Sequence, residues 1–170
     1  MKSKLLLLLG ALMVLTGCDK IKDATAITVN TELNTNIPVT VTNPTKSAIS
    51  FSETKDLSLA DNSDIEPYLS KINEIDLSNI VITITGLSAD QTINSISLDV
   101  AGVGTVFTQT NITMTNNSFT PIVSAAILNQ LASKLQADNK LTFTISGNVS
   151  GPMTFIVSCN MDAKVIVNTI

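Results

Sequence analysis

From Ile27 onward, apolar and polar residues alternate with a period of two over long runs, and this pattern restricts the chain to folds built from half-buried strands. Ile27, Val29, Thr31, Leu33, Thr35, Ile37, Val39 and Val41 share one face, and Thr28, Asn30, Glu32, Asn34, Asn36 and Thr40 share the other. The run reads as one long strand or as two broken near Asn36-Ile37-Pro38, because proline cannot donate to a sheet ladder. Asn43-Pro44-Thr45-Lys46 then turns the chain. The clearest run is the last. Met153, Phe155, Val157, Cys159, Met161, Ala163, Val165 and Val167 fall on one side, opposite Thr154, Ser158, Asn160, Asp162, Lys164 and Asn168. Ile80–Thr85, Ile93–Val100, Gly104–Phe107, Asn111–Met114 and Leu141–Ile145 are further strand candidates, rich in the Thr, Ile and Val that pack well on a pleated surface.

Two segments favour helix. Ser63-Asp64-Ile65-Glu66 fits a capping box, with Pro67 in the first turn and Ile65, Tyr68, Leu69 and Ile72 on one side. Pro121 to Ala137 places Val123, Ile127, Leu131 and Leu135 four residues apart and is punctuated by Asp138-Asn139. The order strand, polar turn, helix, strand runs from Phe51 to Gly86 and again from Phe107 to Gly147, which predicts an internal strand–helix–strand–strand duplication. The expected fold is therefore mainly β: an antiparallel β-sandwich-like domain over residues 27–170 with two short amphipathic helices.

Residues ahead of that domain carry an address. Met1-Lys2-Ser3-Lys4 is basic, and the following run to Leu15 is apolar apart from Gly10. That run is too short for a membrane span, which needs about 20 apolar residues, and has the length of a secretory signal. Leu15-Thr16-Gly17-Cys18 resembles the lipobox of bacterial lipoproteins. The resemblance covers residues 1–18 alone. It implies that residues 1–17 are a signal peptide, that cleavage falls between Gly17 and Cys18, and that the Cys18 thiol carries a diacylglyceryl group. Two or three fatty chains make a lasting anchor where one binds reversibly. Residues 18–26 are then a lipidated cysteine and short tether, which keeps the body near the bilayer. Asp19 resembles an inner-membrane retention signal in some bacteria and a surface-export signal in others. The Asn/Thr/Lys-rich, Arg-free composition favours the outer membrane or cell surface.

Absences narrow the chemistry. The chain contains no His and no Arg. Ser–His–Asp and Cys–His nucleophiles, the usual zinc sites and the bidentate anion clamp are thereby missing. Its seven glycines are scattered, with no phosphate-cradling loop. A net charge of −4, more acidic once Lys2 and Lys4 are removed, opposes nucleic acid. Carboxylate-only glycoside hydrolysis survives this filter, but the chain offers no Trp and one Tyr as sugar platforms. No enzymatic activity and no cofactor are expected.

Two sites remain to be weighed. Asp61, Asp64 and Glu66 concentrate oxygen ligands of the kind calcium takes, but without the glycine and spacing of an EF-hand; a turn and helix cap explain the same residues. Cys159, on the apolar face of the last strand, reads as a small buried hydrophobe rather than a reactive thiol. The expected function is a membrane-anchored, non-enzymatic structural, adhesive or protein-binding module of the cell envelope. The alternative is a carrier of lipid or another hydrophobic ligand, for which 44% hydrophobic residues would line a cavity.

Overall fold

Alternation becomes strands wherever the apolar face finds a second sheet to pack on. The computed structural model describes residues 26–42 and 49–168. Its strands are β1 (Ala26–Val41), β2 (Ile49–Ser58), β3 (Ile72–Thr85), β4 (Ile93–Val100), β5 (Gly104–Ile112), β6 (Ser118–Phe119), β7 (Lys140–Val149) and β8 (Met153–Asn168). Two 3-10 turns, Leu59–Asp61 and Glu66–Lys71, join β2 to β3, and one α-helix, α1 (Ala125–Asp138), joins β6 to β7.

The strands form two four-stranded antiparallel sheets, ordered β1-β8-β3-β6 and β2-β7-β4-β5. β1 pairs with β8, β2 with β7, β3 with β6 and β4 with β5. The chain is thus a long antiparallel ribbon, doubled on itself and rolled so that β8 also pairs with β3 and β7 with β4. Eight strands wound this way make a double-sheet jelly roll, a β-sandwich.

The faces match the alternation closely. All eight apolar-side residues of β8 are buried, as are Leu33, Thr35, Ile37, Val39 and Val41 of β1. Fully burying one large aliphatic side chain contributes about 1.5–3 kcal/mol, so this shared face outweighs any local propensity. β1 runs unbroken through Pro38, opposite Ile156. It lies at a sheet edge, the position where a missing N–H is tolerated.

Three expectations need correction. The capping-box helix does not form. Glu66 and Ile65 donate their backbone N–H groups to the Asn62 carbonyl at 2.8 and 3.1 Å, and Asp64 N–H bonds Asn62 Oδ1 at 3.0 Å. Asn62 organises the turn that Ser63 was expected to cap. A 3-10 stretch comes next and ends at Lys71, since Ile72 is already β3. The second helix starts later than Pro121: Ser124 caps it through Oγ to the Ile127 N–H, and Asn139 ends it at φ 56°. The duplication is absent. Ile80–Thr85 belongs to the sheet of β8, whereas its counterpart Leu141–Ser146 lies in the other sheet between β2 and β4. Gly86 comes just after β3 at φ 92°, while Gly147 sits inside β7.

Helix α1 closes one side of the sandwich, contacting β3 of one sheet and β7 of the other. Leu131, Ala132 and Leu135 are its buried face.

Candidate functional site

Gly17 and Cys18, with the signal segment 1–17 and all of the tether except Ala26, lie outside the described residues, as does the turn Asn43–Lys46. Asp61, Asp64 and Glu66 lie on the turns between β2 and β3. Among the described residues no three His, Cys, Asp or Glu side chains converge as a metal site. One Asp64 oxygen instead accepts from Thr31 Oγ1 at 2.9 Å, and Asn62 Nδ2 donates to the Glu32 carbonyl at 3.1 Å. These contacts pin the crossover to β1, a structural duty for Asp64, which composition alone marks as a ligand.

Cys159 is 1% exposed on β8. Burial pushes its thiol up from an ordinary 9.0 to about 12, because the thiolate would lose its hydration. The neutral thiol therefore persists in the fold at ordinary pH. Alkylation by iodoacetamide at pH 8 should leave Cys159 unmodified until denaturant is added, as mass spectrometry of tryptic peptides will report. The raised value also means the folded state holds its proton more tightly. This side chain's contribution to stability is complete below pH 9 and declines as pH rises from 9 toward 12.

Beneath α1, the gap between the two sheets has no room for a ligand. Ile80, Ile82, Leu98, Phe143, Cys159 and Met161 meet Leu131 of α1 around a gap with no space for a water molecule. Phe51 of β2 reaches across the sandwich to Phe155 of β8, edge to face, with ring centroids 5.4 Å apart.

Space for a partner lies outside, on the outward face of the β2-β7-β4-β5 sheet. A groove of about 470 Å³ is lined there by Ser50, Ser95, Ser97, Thr108, Gln109, Thr110, Ser146 and Asn148, over a floor that includes Phe51, Ile96 and Gly147. None of these residues is charged. Beside the groove, β4 bulges between Ile93 and Ser95, where it passes β7. Its polar groups are already ordered: Ser50 Oγ donates to Asn148 Oδ1 at 2.9 Å, and Asn148 Nδ2 donates to Ser95 Oγ at 3.3 Å, tying β2, β7 and β4 together.

The same face continues as a field of hydroxyls. Thr54 bonds Thr144 across β2 and β7 at 3.2 Å, and Asp99 accepts from Ser97 at 3.0 Å and from Thr105. At its far end the Thr142 hydroxyl, 2.6 Å from Asp56, and then the Lys140 ammonium at 2.9 Å hold the Asp56 carboxyl below its ordinary 3.8. The groove itself can donate and accept hydrogen bonds without imposing charge, and the charged Asp99, Asp56 and Lys140 lie outside its lining. Sequence reasoning does not find it, since outward polar residues carry no periodic mark that separates a binding face from a solvated one.

Among the described residues no helix is long and apolar enough to cross a membrane.

No protein-family model matches the chain, and no curated protein matches it. Among solved structures, the chain is similar in fold to the decameric BFDV capsid protein, at 9% identity and a TM-score of 0.43, over 82% of this chain and 99% of that one. It is also similar to a chain of Desmodium yellow mottle tymovirus, at 12% identity and a TM-score of 0.36, over 84% of this chain and 89% of that one.

Proposed function

We propose that this chain is a bacterial lipoprotein, held by lipid on Cys18 at the outer membrane or cell surface, whose β-sandwich is a non-enzymatic binding module. The observation that carries the anchor is Leu15-Thr16-Gly17-Cys18 behind a basic, apolar leader. The body favours a module over a carrier, because the gap between its sheets beneath α1 is too small for a ligand while its neutral groove opens outward. A surface of hydroxyls and amides suits adhesive or protein-binding contact, where polar groups that both donate and accept can pair with a partner's backbone.

Labelling cells with palmitate tests the anchor. The wild-type chain should take up label and fractionate with membranes, and Cys18→Ser should lose essentially all label and stay at precursor length. A Cys18→Ser chain that matures and fractionates like wild type would end the proposal. Lipid retained through detergent-free purification, seen by native mass spectrometry, would restore the carrier.

A further inference from the structure

At the end of the sandwich where the chain enters it, the apolar face of β1 runs out of cover. β2 ends at Ser58, and Leu57 and Ser58 border Leu33 and Asn34 of β1. The start of β1, Ala26–Glu32, continues past that point. Along it the inward face opens to solvent: Leu33 is buried, Thr31 and Val29 are half-buried, and Ile27 is 40% exposed.

Register brings other apolar groups to the same end. Ile27 of β1 and Ile72 of β3 both pair with Val167 of β8, so the two isoleucines share one row, two strand spacings or about 10 Å apart. Leu69 and Tyr68 stand three and four residues ahead of Ile72, half-buried against the core, on a 3-10 stretch that also contacts β8. A tyrosine has an apolar ring and a polar tip, which suits a boundary between an apolar phase and water. From Asp61 to Glu74 the exposed charges are Asp61, Asp64, Glu66 and Glu74 against Lys71 alone. Anionic headgroups would be repelled there, whereas zwitterionic ones would not.

We propose that this end of the sandwich lies on a zwitterionic bilayer surface, with Ile27, Tyr68, Leu69 and Ile72 at the boundary of headgroups and acyl chains, so that the outward groove points away from the membrane. The orientation rests on lipid at Cys18, and the tether selects the occupant. Ala26 is the eighth residue after Cys18, and eight residues span at most roughly 26–29 Å. A surface linked so closely is met at high effective concentration, so the partial burial of a few apolar side chains is enough to hold it. A free protein partner has no such advantage. The groove residues Ser50 and Asn148 pair at the opposite end of β2, eight residues and roughly 26 Å from Ser58, clear of the surface and open to a partner.

Tyr68 is the only tyrosine and the chain has no Trp, so tyrosine emission reports this end of the molecule alone. The test places the lipidated chain in phosphatidylcholine vesicles, with and without nitroxide-labelled phosphatidylcholine, and records its flotation with the vesicles. Nitroxide near the headgroups should quench Tyr68 about twofold or more, because a ring at the acyl boundary meets the label. Tyr68→Phe combined with Thr110→Tyr moves the tyrosine to the groove, where quenching should stay below about a tenth. Ile27→Asp should reduce the quenching of Tyr68 at least by about half, since a carboxylate resists the apolar boundary, while flotation is unchanged. A floating chain whose Tyr68 is quenched no more than the groove tyrosine, or equally in Ile27→Asp, overturns this orientation and leaves the anchor standing. A chain that bears no lipid and does not float overturns both.

Discussion

Gly147→Ala should unfold about 6–12 °C below the wild-type chain, the shift that roughly 3 kcal/mol produces in a domain of this size. A Cβ at this position would lie 2.0 Å from the Ser95 carbonyl oxygen and 2.9 Å from the Phe51 ring. The first contact is with backbone, so no rotamer change relieves it. β4 would have to move away from β7 at its bulge, loosening the Asn148–Ser95 bond and the Phe51–Phe155 stack together. Overpacking ordinarily costs about 1–3 kcal/mol, and a clash with two fixed elements belongs at or above the top of that range. Gly151→Ala is the control: a Cβ there meets nothing within 4 Å, so its stability should stay within about 0.5 kcal/mol of wild type. Equal melting of the two variants would mean that the bulge at Ser95 yields freely.

The contrast between Gly147 and Gly86 shows where a one-dimensional pattern stops. In the sequence Gly147 ends an apolar run as Gly86 does, and the two look equivalent. The difference is made by the β4 backbone, which is remote in the chain and beside Gly147 only in the fold. Alternation states which face of a strand is buried, and for β8 it places all eight residues, Cys159 among them, on the correct side. It does not state which strand lies alongside. β1 pairs with β8 across nearly the whole chain, and that closure is decided by how two sheets cover one core. β6 escapes notice because Ser118-Phe119 is too short to show a period; it is held through Ile82 and Thr83. The capping-box error has a similar origin. Ser63 and Glu66 fit a local rule, but the Asn62 carbonyl takes the same donors, and β3 must begin at Ile72 to reach its place beside β8. The outward groove is illegible for want of any rule that separates one Ser/Thr-rich face from another. The lipobox is legible because it is a contiguous chemical signal and needs no tertiary partner.

Phe143→Ala should be the most destabilising single truncation in the body, lowering stability by about 3–5 kcal/mol. Phe143 is 1% exposed, central on β7, and its ring borders the gap where Ile82, Leu98 and Met161 of both sheets meet Leu131 of α1. Removing the ring costs its transfer energy and leaves a void beside a gap that already excludes water, so the neighbouring side chains lose dispersion contacts as well. Both sheets and the helix border the void, so none can close it without opening its packing against another. In urea the midpoint should fall while the slope stays unchanged, the signature of a native state weakened without a change in exposed surface. A void of this kind is apolar and stays dry, so benzene should raise the variant's melting temperature and leave the wild type's unchanged. That pair of results bears on function as well as stability. If the wild-type chain is also stabilised by benzene, its interior opens readily to apolar guests, and the carrier reading regains the ground that a filled core takes from it.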